Sequence, residues 1–149
     1  MAHSYTKILI HYVFSTKNRE KIMTAPLQER LWAYMGGIAK GNNMKALAIG
    51  GIEDHVHLLI SLPVTLSISK AIQLIKGGSS KWVHDTFPDY NKFRWQEGYG
   101  AFSVSVSQIK NTIAYINKQK EHHLKESFQD EYISVLEEHV IEYDKRYVW

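Results

Sequence analysis

The sequence contains no cysteine. That excludes a disulfide framework, a thiolate metal site and a cysteine nucleophile, and it favours a reducing compartment. Long apolar runs are missing as well. The longest, Ile8 to Phe14 and Val56 to Leu62, fall far short of a bilayer span of about 20 residues, and the first carries His11 within it. The N-terminus has neither an extended apolar core nor a small-residue cleavage site, so no signal peptide and no membrane association are expected, and a cytoplasmic location is. Proline is scarce, at three residues, and no Pro/Gly-rich linker, internal repeat or low-complexity tract divides the chain.

What is present describes a folded chain with a basic front. With 149 residues, 44% of them hydrophobic and 22% charged, it can bury roughly 68–70% of its unfolded surface. One domain over residues 1–149 is expected. Net charge is +3, unevenly spread: residues 1–50 hold seven Lys/Arg against two Asp/Glu, and residues 101–149 hold six against eight. A positive excess at the front is what a polyanion-binding face requires.

Hydrophobic periodicity gives the order strand, helix, strand, strand, helix, strand, then two helices. Residues 6–16 alternate, with Ile8, Ile10, Tyr12 and Phe14 on one face and Leu9, His11, Val13 and Ser15 on the other. Thr24 and Pro26 open a helix striped by Leu27, Leu31, Met35 and Ile38, and Gly41-Asn42-Asn43 ends it. Strands follow over 44–50 and 55–62, joined at Gly51-Ile52-Glu53-Asp54. A second helix carries Ile68, Ile72, Ile75 and Val83 and stops at Phe87-Pro88. Phe102, Val104 and Val106 alternate with serines, predicting a fourth strand, and helical spacing then runs from Ser107 to about His123. Ser127 with Asp130 has the pattern of a capping box for a last helix to about Tyr143. The order βαββαβ is that of an α+β, ferredoxin-like or RRM-like sandwich. Four antiparallel strands then carry two helices on one face and leave the other free, the face on which RRM domains hold nucleic acid.

The sharpest local feature is Asp54-His55-Val56-His57-Leu58-Leu59-Ile60. On a strand, His55 and His57 point to one side and Val56, Leu58 and Ile60 to the other. The apolar set goes beneath the helices. The imidazoles, roughly 6.6 Å apart along the strand, stand on the open face, where they can grip one ion. The same spacing fits two hydrogen-bonded or solvated histidines equally well. Two imidazoles leave a divalent ion unsaturated, so a third ligand is sought. Glu53 and Asp54 are adjacent, although Asp54 also suits the turn. Further along, Tyr115 and Gln119 are four apart and share one helix face. Tyrosine is a candidate covalent nucleophile and the Gln119 amide oxygen a candidate hard ligand. Taken alone, the pair also reads as a surface hydrogen-bonded couple.

Taken together, these segments resemble the single-tyrosine HUH transposases of small bacterial and archaeal insertion sequences and their REP-associated tyrosine transposase relatives. The likeness rests on His11-Tyr12-Val13-Phe14-Ser15-Thr16-Lys17, Asp54-His55-Val56-His57-Leu58-Leu59, Ile75-Lys76-Gly77-Gly78-Ser79-Ser80-Lys81, Trp95-Gln96-Glu97-Gly98-Tyr99, and Tyr115-Ile116-Asn117-Lys118-Gln119 with His122-His123. It spans nearly the whole chain. The resemblance implies that the first C-terminal helix carries the catalytic Tyr115, which attacks single-stranded DNA to leave a 5′-phosphotyrosine and a free 3′-hydroxyl. It implies that His55, His57 and Gln119 hold Mg²⁺ or Mn²⁺, that DNA hairpins at element ends are recognised, and that the protein is a homodimer with active sites shared in trans. Ser107 stands where many relatives have glycine, a departure that bears on how freely the tyrosine helix swings.

Lys17 and Arg19, after the first strand, and Lys76 and Lys81, flanking Gly77-Gly78-Ser79-Ser80, are candidate phosphate contacts. Trp95 and Tyr99 are candidates for stacking on bases but fit core or strand-end packing better. His122-His123 is a candidate further metal or DNA contact, although helix-end histidines more often meet the dipole and solvent. His11 carries no assignment. Two other classes fit part of the pattern. A non-catalytic RRM-like module lacks its paired sheet aromatics here, because the open face carries His55 and His57 instead. A metal-dependent phosphoesterase without a covalent intermediate would need a second histidine motif, and there is none.

Overall fold

Alternation in the first apolar run is realised as a strand. In the computed structural model, which describes residues 3–123 and 126–144, β1 spans Leu9–Ser15, α1 Ala25–Gly41, β2 Lys45–Gly51, β3 His55–Ser61, α2 Ile68–Thr86 and β4 Gly100–Ser103. Three helices follow: α3 Ile109–Asn117, α4 Gln119–His122 and α5 Phe128–Glu138. The sheet order is β2-β3-β1-β4 with every neighbour antiparallel, the ferredoxin-like arrangement expected from βαββαβ.

One face of the sheet is built from Ile10, Tyr12 and Phe14 of β1 and Val56, Leu58 and Ile60 of β3, packed under Leu27, Leu31 and Met35 of α1 and Ile72, Ile75 and Val83 of α2. Burying each of these side chains contributes about 1.5–3 kcal/mol. Ser67 starts α2 by accepting a hydrogen bond from the Lys70 N–H.

The opposite face is not free, contrary to the sequence reading. Leu9, Val13, Leu59 and Phe102 lie on it and need cover. Ile116 of α3 packs with Leu9, Ala48 and Leu59, and Phe128, Tyr132 and Leu136 of α5 pack with Val13 and Phe102. Left in water, such a face would forfeit about 25 cal/mol per Å², so the C-terminal helices fold back onto their own sheet. Gly50 allows α3 to come this near. A Cβ at that position would run into the Ile116 carbonyl oxygen and meet Ile116 Cγ2 at 3.1 Å. Gly51 answers a second close approach, against the His55 carbonyl across the β2–β3 turn.

Boundaries near the C-terminus also differ. β4 ends at Ser103 because its partner runs out. Pairing goes from Val13↔Gly100 to Ile10↔Ser103, with one last bond from the Val104 N–H to the Leu9 carbonyl. Val106 is exposed in a 3₁₀ turn, Val106–Gln108. The helix expected from Ser107 to His123 breaks at Lys118 (φ −106°, ψ 24°) into α3 and α4. The last helix stops at Glu138, and its N-cap is as expected, with Ser127 accepting from the Asp130 N–H. No helix among the described residues is long and apolar enough to cross a membrane.

Candidate active site

Strand alternation puts His55 and His57 on the face covered by α3 to α5, and both are fully buried. Each imidazole is fixed from behind. His55 Nδ1–H donates to Asp54 Oδ1 at 2.7 Å, and His57 Nδ1 lies 2.9 Å from His11 Nε2. The Nε2 atoms are thereby turned to a common point. Imidazoles held this way through the far nitrogen are typical of metal-binding histidines.

Other donors converge on the same point. Gln119, at the start of α4, is 1% exposed, and its Oε1 lies 3.1 Å from His55 Nε2 and 3.0 Å from His123 Nε2. Glu131 of α5 approaches His57 Nε2 at 2.8 Å and His55 Nε2 at 3.5 Å through Oε1. Its Oε2 lies 3.0 Å from Nε2 of both His122 and His123. One ligand atom from each of His55, His57, His123 and Glu131 falls within 4.8 Å of the others. Glu131 Oε2 and His122 Nε2 are buried without a well-formed hydrogen bond. Orphaned polar atoms beside convergent nitrogen and oxygen donors fit a divalent cation, which would satisfy them.

The electrostatics are lopsided. Burial lowers His11 to about 3, with His57 adding to the shift. Burial likewise lowers His57 to about 4, against the pull of Glu131. Burial would lower His55 too, but hydrogen bonds to Asp54 and Glu131 carry it up to about 9. Burial opposes ionisation of Glu131, yet hydrogen bonds from His123, His55 and His57 hold it well below the usual carboxylate range. With His11 and His57 neutral, either ring can donate across their 2.9 Å contact, so His57 can present a lone pair at Nε2.

Tyr115 stands over this cluster within the same chain. Its ring centroid is 5.5 Å from His57, 6.3 Å from His11 and 5.2 Å from His122. Burial, then the Glu131 charge, raises its phenol above the ordinary value. A cavity of about 720 Å³ lined by His11, Tyr115, His122 and Glu131 opens beside it. The turn at Lys118 lets the Gln119 side-chain N–H₂ donate back to the Tyr115 carbonyl at 3.2 Å, joining nucleophile and ligand in one local unit.

The structure thus brings together His55, His57, Tyr115 and Gln119 with His123 of the His122-His123 pair, and adds His11 and Glu131. Of the basic candidates, Lys17 and Arg19 lie in a 3₁₀ turn with Asn18 and Arg19 at positive φ (58° and 56°). That turn borders a cavity of about 830 Å³ shared with Gln96, Tyr99 and Tyr132. Lys76 is committed elsewhere. Its ammonium donates to the carbonyls of Gln96, Glu97 and Gly98 at 2.6, 3.2 and 2.8 Å, and burial lowers it to about 8. Lys81 pairs with Asp85 at 2.6 Å on the exposed side of α2. Trp95 is buried against Phe14 and donates to Ser79 Oγ, a packing role as expected.

The chain is similar to known proteins in sequence and in fold. The IS200 transposase of Salmonella typhimurium is 27% identical over 140 residues, 91% of this chain and 89% of that one. The ISDra2 transposase TnpA of Deinococcus radiodurans is 26% identical over 109 residues, 72% and 78% of the two chains. The fold matches a Deinococcus radiodurans crystal structure with a TM-score of 0.64 at 23% identity, covering 80% of this chain and 96% of that one. It also matches the REP-associated tyrosine transposase bound to a REP hairpin, with a TM-score of 0.60 at 15% identity, covering 83% and 73%. The family model for IS200-like transposases matches residues 4–119, from the segment before β1 to Gln119. The chain belongs to the IS200-like transposase family, whose members are DNA-cutting enzymes.

Proposed function

We propose that the protein cuts and rejoins single-stranded DNA through a covalent bond to Tyr115, with Mg²⁺ or Mn²⁺ held by His55, His57 and Gln119. The observation that carries this reading is the Tyr115 ring 5.5 Å from His57, with Gln119 Oε1 3.1 Å from His55 Nε2. In the cut, Tyr115 Oη bonds to phosphorus while the phosphorus–O3′ bond breaks. The phenolic proton is lost, the 3′-oxygen leaves as a hydroxyl, and the 5′-phosphate stays on the tyrosine. The reverse attack by a 3′-hydroxyl rejoins a strand without an external energy source. A bound divalent ion supplies polarisation of the scissile phosphate and offsets charge gathered there. The chain's own residues hold the phenol protonated and aimed. Burial and Glu131 keep it un-ionised until that negative charge is balanced.

Lys17 and Arg19 are proposed as contacts to the phosphates of a DNA hairpin, the kind of ligand held by the REP-associated relative. Lys81 is exposed enough to join them, whereas Lys76 is proposed to fix the 96–98 loop instead. Work on cellular DNA implies a cytoplasmic protein. A homodimer would cover the exposed edges of β2 and β4. The packing of Ile116 against Gly50 favours a site completed within one chain over one shared in trans.

The test is cleavage of single-stranded oligonucleotides drawn from the DNA flanking the gene and able to fold into hairpins. Wild-type protein with Mn²⁺ should cut at least one of them, and His57→Ala or EDTA should stop cutting while salt-sensitive binding persists. Undiminished cutting in EDTA would refute the metal-dependent mechanism. Cutting that leaves no protein-linked DNA would favour a plain phosphoesterase.

A further inference from the structure

The two strand histidines come from the βαββαβ core and Gln119 from the start of α4, but Glu131 comes from α5, beyond them. Its neighbours Phe128, Tyr132 and Leu136 make an ordinary apolar stripe on the sheet. Glu131 sits in that stripe, 2% exposed, where a solvated acid has no place. Among the described residues its carboxylate pairs with no Lys or Arg. It faces imidazoles: Oε1 toward His57 and His55, Oε2 toward His122 and His123. Oε2 is buried with no well-formed hydrogen bond. Two chain segments 74 residues apart therefore meet at this point through atoms of metal-ligating type, beside the stacking of Phe128 on the His55 ring.

We propose that Glu131 is a direct ligand of the divalent ion, so that the ion ties α5 to β3 and metal binding is coupled to closure of the C-terminal helix over the active site. The inference rests on the metal-dependent reading above. Divalent Mg²⁺ and Mn²⁺ favour a carboxylate oxygen over a third or fourth imidazole. An anionic oxygen also offsets the positive charge of an ion set between two buried imidazoles. Glu131 would thus join His55, His57 and Gln119 in a mixed nitrogen and oxygen donor set suited to Mn²⁺ or Mg²⁺. A consequence is reciprocal: whatever lifts α5 weakens the ion, and removing the ion loosens α5 by the same coupling free energy.

The test uses the full chain and Mn²⁺ alone, without DNA. Calorimetry gives the Mn²⁺ affinity of wild type, Glu131→Gln, Glu131→Asp and His57→Ala, and hydrogen exchange follows residues 128–138 with and without the ion. Expected are a loss of at least ten-fold in Mn²⁺ affinity for Glu131→Gln, and a smaller loss for Glu131→Asp, which keeps the carboxylate one methylene short. Mn²⁺ should slow exchange across 128–138 in wild type and leave it unchanged in Glu131→Gln. Should Glu131→Gln loosen α5 even without the ion, Glu131→Asp carries the comparison. Wild-type affinity in both Glu131 variants, or no effect of Mn²⁺ on α5 exchange, would overturn the inference while a weakened His57→Ala still upheld the metal reading. Unchanged affinity in His57→Ala would remove the metal reading and this inference with it.

Discussion

Replacing Gly50 with alanine adds one methyl group at the place where α3 rests on β2. The new Cβ would lie inside contact of the Ile116 carbonyl oxygen, 3.1 Å from Ile116 Cγ2 and 3.2 Å from its carbonyl carbon. Two of those atoms are backbone, so no rotamer change relieves the clash. Ordinary carbon separations of about 3.5–4.0 Å are restored only if α3 moves by on the order of 1 Å. Overpacking of this kind costs about 1–3 kcal/mol. Its larger effect falls on chemistry, because Tyr115 precedes Ile116 and moves with it. A misplacement of about 1 Å at a reacting group can cost on the order of 100-fold in rate. Gly50→Ala should therefore lower cleavage about 100-fold while Mn²⁺ binding through His55 and His57 falls far less. Single-turnover cleavage measured beside Mn²⁺ titration reads both quantities. Cleavage at the wild-type rate would refute the reasoning, since it would mean that α3 works from another position, such as on a partner chain.

Three further outcomes follow from the same geometry. His11→Phe removes the contact that orients His57 from behind and should weaken Mn²⁺ binding by about 10–100-fold, read by calorimetry, with little change in the far-ultraviolet spectrum. Stability should depend on pH in two directions. His11 and His57, lowered to about 3 and 4 by burial, contribute stability that is present above their unfolded value of about 6.5 and lost as pH falls below it. His55, raised to about 9 by Asp54 and Glu131 against its burial, contributes stability that is present below about 6.5 and lost as pH rises through 9. Urea midpoints of metal-free protein should therefore peak at about pH 7, and a curve still climbing at pH 9 would contradict the assignment of His55. Lys76→Met frees the three carbonyls of the 96–98 loop and should destabilise the fold by about 1–3 kcal/mol. Hairpin affinity that fell with no loss of stability would instead make Lys76 a phosphate contact.

Much of the arrangement could be read from the chain because it depends on local periods. Alternation at His55-Val56-His57 fixes which side chains share a face, and the spacing of Tyr115 and Gln119 survives the break at Lys118. The covered sheet face was less visible. Its apolar members come from β1, β3 and β4 separately, so no single segment announces a second core. The end of β4 was misread because Val104 and Val106 continue the alternation after the partner strand has run out at Leu9. Glu131 leaves only a faint trace in the sequence, an acid within the stripe Phe128, Tyr132, Val135 and Leu136, beside Asp130, whose N–H is capped by Ser127. Its partners lie 74 and 76 positions earlier, at His57 and His55, and only the folded chain joins them. His11 was hidden in the same way, as a diagonal neighbour of His57 across the β1–β3 pairing.

Identification of the residue that carries DNA after cleavage tests the central claim most directly. Protein incubated with Mn²⁺ and the single-stranded hairpin would be denatured, trimmed with nuclease and protease, and the modified peptide sequenced by mass spectrometry. The expected result is a 5′-linked nucleotide on Tyr115 and none in Tyr115→Phe. A nucleotide on any other of the nine tyrosines, or cleavage with no modified peptide at all, would contradict it.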